Sequence, residues 1–275
     1  MKETHSKILI FAAAVLTYAF LLLPLVVVIG ASLDSGAQAY FRFPPQEISL
    51  RWYIELPPKY WSSLALSFGV ALTSGAAAVL VGTLAALGIA RGSAGGSAAL
   101  ETYFRFPLQV PFVVTGVVFL QFYYLLLDTS GIRLLGNFSG YVVAHTFFCI
   151  PYAVGAVGSV ITRDLERTEN AARIAGATEP RVLYRVTLPA LKPGLFAGFF
   201  FSFIVSFGDV PVSVFLASGG VVPLPVEIFQ TLQFDFDPRV LAISTIIVVL
   251  SSGFIVTMQR VVGLDLVLPG SGGVR

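Results

Sequence analysis

The sequence predicts an all-α integral membrane protein of six transmembrane helices with both termini in the cytoplasm. Three observations lead there: a shortage of charge, apolar residues gathered into long blocks, and an uneven distribution of basic residues. Of the 275 residues, 56% are hydrophobic and only 12% charged, and the mean hydropathy is +0.85. A soluble domain carries about 25% charged residues, so half the expected charge is missing. The net charge of +2, with no basic run interleaved with aromatics, argues against nucleic acid as a partner. The single cysteine, Cys149, excludes an internal disulfide framework.

Six apolar blocks approach the ~20 residues that cross a ~30 Å hydrocarbon core as a helix. They cover residues 8–31, 64–90, 106–127, 141–161, 195–217 and 238–258. The first resembles a secretory signal, because Lys2 and Lys7 precede it and Ala37-Gln38-Ala39 mimics a cleavage site. It exceeds the roughly 7–15 residues of a signal core and reads as a retained helix. In the second block Ser74, Ala78, Gly82, Ala86 and Ala90 recur every four residues. Such a stripe of small side chains permits close helix contact in lipid and is assigned to packing, with no chemistry.

Six crossings put the N-terminus, the 91–105 and 162–192 segments and the C-terminal tail on one side. That side holds twelve of the 17 lysines and arginines, against five on the other. Positive charge accumulates on the cytoplasmic side, which fixes the orientation.

The 162–192 segment contains the stretch ENAARIAGATEPRVLYRVTLP, residues 169–189, polar in an otherwise apolar chain. Arg173, Arg181 and Arg185 would together cost roughly 8–10 kcal/mol at mid-membrane, so the segment belongs in water or against a partner. Its grammar predicts two short helices. Thr168 is the expected N-cap of the first, Glu169 suits its positive start, and Gly176 supplies a left-handed stop. Thr178 or Glu179 then caps the second, with Pro180 in its first turn, and Leu188-Pro189 ends it before the next span. Small side chains at Ala171, Ala172 and Ala175 suit insertion into a cleft.

The spacing Ala171-Ala172, three residues, Gly176, nine residues, Val186, one residue, Leu188-Pro189 resembles the "EAA" loop of permeases from ABC importers. HTFFCIPYAV at 145–154 and SFGDVPVSVFLASG at 206–219 are similar to segments of the spermidine/putrescine-type permeases, and the likeness covers residues 60–260. Two positions depart from the pattern: Asn170 stands where the motif has glutamate, with Glu169 one place early, and Val186 replaces isoleucine.

The resemblance implies the type I importer permease fold as one domain over residues 1–275, in a bacterial inner membrane. It implies a coupling helix at 169–189 that docks into a cytoplasmic ATP-binding subunit through Glu169, Asn170, Ala171, Ala172, Arg173, Ala175, Gly176 and Ala177. The partners it implies are a dimer of that subunit, a second permease chain and a periplasmic solute-binding protein. ATP and magnesium would be held by the ATP-binding partner, and this chain would carry no cofactor. The residues agree, since no phosphate-cradling G-x-x-x-x-G-K-[ST] run occurs. RGSAGGS at 91–97 lacks the lysine and reads as a flexible linker. His5 and His145 stand far apart without ligand-spaced neighbours, and neither a metal site nor a catalytic triad is indicated.

Asp209 is the sharpest single position, placed by the pattern inside the fifth span after Ser206 and before Pro211. Intramembrane carboxylates face a cavity or a partner. Two readings stand open: Ser206 and Asp209 on a translocation path, or Asp209 hydrogen-bonded to a neighbouring helix. His145 and Cys149 read as packing or helix–helix hydrogen-bonding groups. In the outer loop at 32–61, Trp52, Tyr53, Tyr60 and Trp61 read as membrane-interface anchors, and Val226-Glu227-Ile228-Phe229 as a short surface helix. The outer acids Asp34, Glu47, Glu55, Asp128, Glu227, Asp235 and Asp237 outnumber the outer bases, which suits a cationic solute. The rival function is a stand-alone secondary transporter working through Asp209, which predicts matched broken helices in two halves; no internal repeat is seen.

Overall fold

A computed structural model describes residues 2–36, 42–92, 94–234 and 237–262. Ala37-Gln38-Ala39, Asp235 and Arg275 lie outside the described residues. In chain order the helices are α1 (Lys2–Ala31), α2 (Arg51–Ile54), α3 (Pro58–Arg91), α4 (Ala94–Arg105), α5 (Phe112–Ser130), α6 (Phe138–Gly158), α7 (Arg163–Ile174), α8 (Glu179–Val182), α9 (Leu188–Phe207), α10 (Ser213–Leu216), α11 (Leu224–Phe234) and α12 (Arg239–Val262). A 3₁₀ turn (Phe106–Gln109) precedes α5 and a π turn (Leu183–Thr187) runs into α9.

Among the described residues, five helical segments are long and apolar enough to cross a membrane: Leu9–Ala31, Pro58–Arg91, Phe112–Ser130, Phe138–Gly158 and Glu179–Phe207. The sixth expected span coincides with α12, Arg239–Val262. Boundaries differ from the sequence reading by several residues at several spans, and three of the differences lie at prolines. The third span opens at Phe112, after Pro107 in the 3₁₀ turn and Pro111 at the N-cap. The fifth was expected at 195–217; instead α9 opens at Leu188, with Pro189 in its first turn, where a missing N–H costs little. Leu188-Pro189 thus begins a helix rather than ending one. Its far end closes at Gly208, ahead of Pro211, so Asp209 lies in a non-helical turn. The glycine-rich 91–97 run is likewise not a linker: α4 starts within it, and Ser97 Oγ donates to the Ile89 carbonyl at 2.6 Å.

The chain divides into two compact units. One comprises residues 1–60 with 228–258, the other 61–227 with 259–275. In the first, residues 9–26 of α1 are exposed, as a helix facing lipid would be, and Ala31 at its end is buried. After α1 the chain doubles back through an antiparallel bridge between Asp34 and Ile48. Trp52 and Tyr60 are buried within the protein, and Trp52 Nε1 donates to the Asp34 carbonyl at 2.7 Å. Glu55 pairs with Arg51 at 2.9 Å and with Arg239, in the first turn of α12, at 3.7 Å.

The second unit is built around α6, whose Tyr141, Ala144, Phe148, Cys149 and Ala153 form the centre of the buried core. Two neighbours reach it through small residues. A Cβ placed on Gly82 of α3 would come within 2.7 Å of the Ala153 Cβ, and one on Gly198 of α9 within 3.2 Å of the Ala153 Cα. Ser74, Ala78, Gly82 and Ala86 are all buried on that face of α3, whereas Ala90 is exposed. Further along, Cys149 Sγ donates to the Ser202 carbonyl and Ser202 Oγ to the Cys149 carbonyl, both at 3.3 Å.

Gly82→Val forces atoms into a filled contact, which typically costs about 1–3 kcal/mol. We expect a lower detergent unfolding temperature for Gly82→Val. Gly88→Ala, where an added Cβ meets nothing within 4 Å, should leave that temperature unchanged.

Candidate functional site

The polar segment between α6 and α9 is positioned by caps at both ends of α7. Its N-cap is Thr162, not Thr168: Thr162 Oγ1 accepts from Leu165 N at 3.4 Å, and Asp164 and Glu166 sit in the first turn. That threonine followed by two acids was the stronger start signal. Thr168 lies mid-helix and turns its hydroxyl back onto the Asp164 carbonyl at 2.8 Å. The helix stops where Gly176 adopts φ +84°, and the N–H groups of Gly176 and Ala177 cap the carbonyls of Arg173 and Ala172. Thr178 is the N-cap of α8, with Pro180 in its first turn.

This geometry sorts the segment into two faces. Asn170, Ala171, Ala175 and Gly176 are exposed, Ile174 is 89% exposed, and Ala172, Arg173 and Ala177 are half-buried. Glu169 points the other way and is 4% exposed. Its Oε1 receives Arg91 Nη2 from the last turn of α3 at 2.9 Å and Thr187 Oγ1 from the π turn at 2.5 Å. Arg173 lies 3.7 Å from Glu169 Oε2 and makes shorter bonds to Glu179 (2.7 Å) and to Asn170 Oδ1 (2.8 Å). At the motif's glutamate position, then, Asn170 steadies an arginine with its side-chain carbonyl. The Arg173 guanidinium holds the Glu179 carboxyl below the usual carboxylate range. Its contribution is present above that range and lost as pH falls through the lowered value, and at an exposed pair solvent keeps it small. A cavity of about 630 Å³ opens beside these groups, lined by Arg91, Arg163, Leu165, Glu169, Asn170 and Arg173 among others.

A second polar cluster sits inside the second unit. Asp209, 4% exposed, accepts from Val212 N at 3.4 Å and from Ser213 N and Ser213 Oγ at 2.8 Å each. Since the Ser213 hydrogen goes to Asp209, His145 Nε2 donates to the Ser213 oxygen at 3.0 Å. His145 Nδ1 meets Ser206 Oγ at 2.7 Å, and Ser206 meets Ser74 Oγ of α3 at 3.0 Å. The network joins α3, α6, the end of α9 and α10, all of its members buried. Asp209 thus bonds to its own following turn, three and four residues on, rather than directly to a neighbouring helix, with His145 Nε2 of α6 at 3.8 Å. The chain order hid the partners: Arg91 is 78 residues from Glu169, and His145 is 61 from Ser206.

Removing a buried acceptor strands its donors at about 1–3 kcal/mol. Asp209→Ala should therefore lower the unfolding temperature of the detergent-extracted protein. Unchanged stability with weakened solute affinity would instead place Asp209 on the solute's path.

Comparison with known proteins adds the family. The profile described as "Binding-protein-dependent transport system inner membrane component" matches residues 78–263. The putrescine transport system permease protein PotI of Escherichia coli (strain K12) is 30% identical over 203 residues, 72% of each chain. The spermidine/putrescine transport system permease protein PotC of the same strain is 28% identical over 246 residues, 89% of this chain and 90% of PotC. Among solved structures, a bacterial ABC transporter involved in importing the acidic polysaccharide alginate superposes with a TM-score of 0.66. At 14% identity it covers 95% of this chain and 97% of its own, a likeness of fold.

Proposed function

From the premise that this chain belongs to the binding-protein-dependent transport system inner membrane components, and so is a multi-pass inner-membrane permease of an ABC importer, we propose how it couples and what it carries. Helix α7 is the coupling helix. Its exposed edge, Asn170, Ala171, Ile174, Ala175 and Gly176, enters a groove of a cytoplasmic ATP-binding subunit. That edge is the observation that carries the reading: small side chains around one protruding isoleucine, closed by a left-handed glycine. Closure of two such subunits on ATP moves α7, and the spans attached to it swing between inward-open and outward-open. Both termini are cytoplasmic, and α12 supplies the sixth crossing. A second permease chain completes the pore and a periplasmic binding protein delivers the solute. ATP and magnesium are bound by the partner.

The solute is proposed to be a polyamine or related organic cation. The support is the identity to PotI and PotC, proteins named for putrescine and spermidine transport. The surplus of outer acids adds little, since Glu55 is paired with Arg51 and Arg239, Asp237 with Arg239, and Asp34 accepts from Gln46 N. The stand-alone transporter depends on an accessible Asp209, whose oxygens are taken by Val212 and Ser213.

Gentle extraction of the tagged chain, followed by mass spectrometry, should recover an ATP-binding subunit and a second permease; recovery of this chain alone overturns the importer assembly. Ala171→Arg and Gly176→Asp, both at exposed positions, should abolish ATP-driven putrescine uptake and recovery of the ATP-binding subunit. The amount of the chain in the membrane should stay unchanged. Normal uptake in both variants rules out docking through this edge.

A further inference from the structure

We propose that Glu169 is the positioning residue that locks the coupling helix to the membrane helices, rather than part of the surface that meets the ATP-binding subunit. The proposal rests on the coupling role given to α7 above. A single buried carboxylate oxygen receives Arg91, at the end of α3, and Thr187, in the π turn that leads into α9. Three elements therefore meet at one atom: the proposed coupling helix and the ends of two membrane-spanning helices on that side. The motif's acid would sit one position later, at the place Asn170 occupies, on the exposed edge. Moving it back one residue turns it by about 100° around the helix, since 3.6 residues make a turn. That rotation carries it from the docking edge to the inward face.

A surface ion pair between α3 and α7 would be screened and would transmit little. In this pair the Arg91 side chain is 47% exposed but the Glu169 side chain only 6%, so displacing α7 without α3 and α9 would leave a buried carboxylate without its partners. That penalty makes the three elements move as one piece. The π turn at Leu183–Thr187 lies beside this lock; such turns are frequent at functional sites within helices.

The test reads the lock directly. Spin labels are placed at Gly88→Cys on α3, where an added side chain has open space, and at Arg167→Cys on α7, whose side chain is 80% exposed. Cys149 is fully buried and stays unlabelled. In the purified complex the distance distribution should be narrow and the same with and without ATP and vanadate. Adding Glu169→Gln or Arg91→Gln should broaden or shift it in either condition; Arg91→Lys, which keeps the charge, should restore the narrow form. In proteoliposomes with putrescine as probe, uptake per ATP hydrolysed should fall about tenfold in each Gln variant, in the range of a coupling free energy. It should fall no further in the double variant, because both remove one interaction.

A distance that Glu169→Gln leaves unchanged overturns the proposal. So does loss of the ATP-binding subunit from that variant with its distances intact, which makes Glu169 a docking residue. Absence of putrescine uptake by the parent overturns the polyamine assignment alone, while the label distances still report on the lock.

Discussion

The second unit depends on how closely three helices approach at Ala153. Lipid tails are as apolar as the side chains they touch, so membrane helices gain little from burying apolar surface against one another. Association must come from contact made at short range and from hydrogen bonds. Gly82 of α3 and Gly198 of α9 provide the short range, both at Ala153 of α6. Once those backbones are close, polar groups that would be unreachable across ordinary side chains come into bonding distance. The reciprocal pair between Cys149 and Ser202 and the bond between Ser74 and Ser206 both exist on those terms.

The same constraint explains the polar network around His145. Where α9 stops at Gly208 it leaves backbone groups that lipid cannot satisfy. Asp209 takes up the N–H groups of Val212 and Ser213, His145 reaches across to Ser213, and Ser206 links His145 to α3. The N–H groups beyond the break are thus satisfied by Asp209 of the same turn, and side chains of α3, α6 and α9 tie the turn into the bundle. At the other end of α9 the solution differs: Pro189 is in the opening turn and the preceding turn is π-helical, running without interruption from the polar segment. Glu169 and Arg91 then fasten that segment to α3.

An importer's permease must be stiff where force enters and divided where solute passes. The observed distribution of contacts suits the first demand. Exposed small residues face outward from α7 and buried Glu169 faces inward, so under the coupling role proposed for it one short helix would separate recognition from anchoring by its two sides.

The sequence by itself determined the membrane class, five of the spans and the presence of a capped polar segment with a left-handed stop at Gly176. These follow from local quantities: hydropathy over a helix length, and the backbone preferences of Gly, Pro and Thr within a turn. The motif spacing at Ala171, Ala172 and Gly176 also carried the family, because it is contiguous. Boundaries at prolines were misread, since whether a proline ends or opens a helix depends on which neighbouring N–H needs a partner. Only the tertiary structure decided that Asp209 is tied within the protein and that Glu169 faces inward. The Glu169 answer hangs on Arg91, 78 residues away in the chain, and Asp209, though bonded to Val212 and Ser213 close by, is buried by distant elements; a carboxylate's role is set by which donors desolvate with it, a property no linear pattern carries.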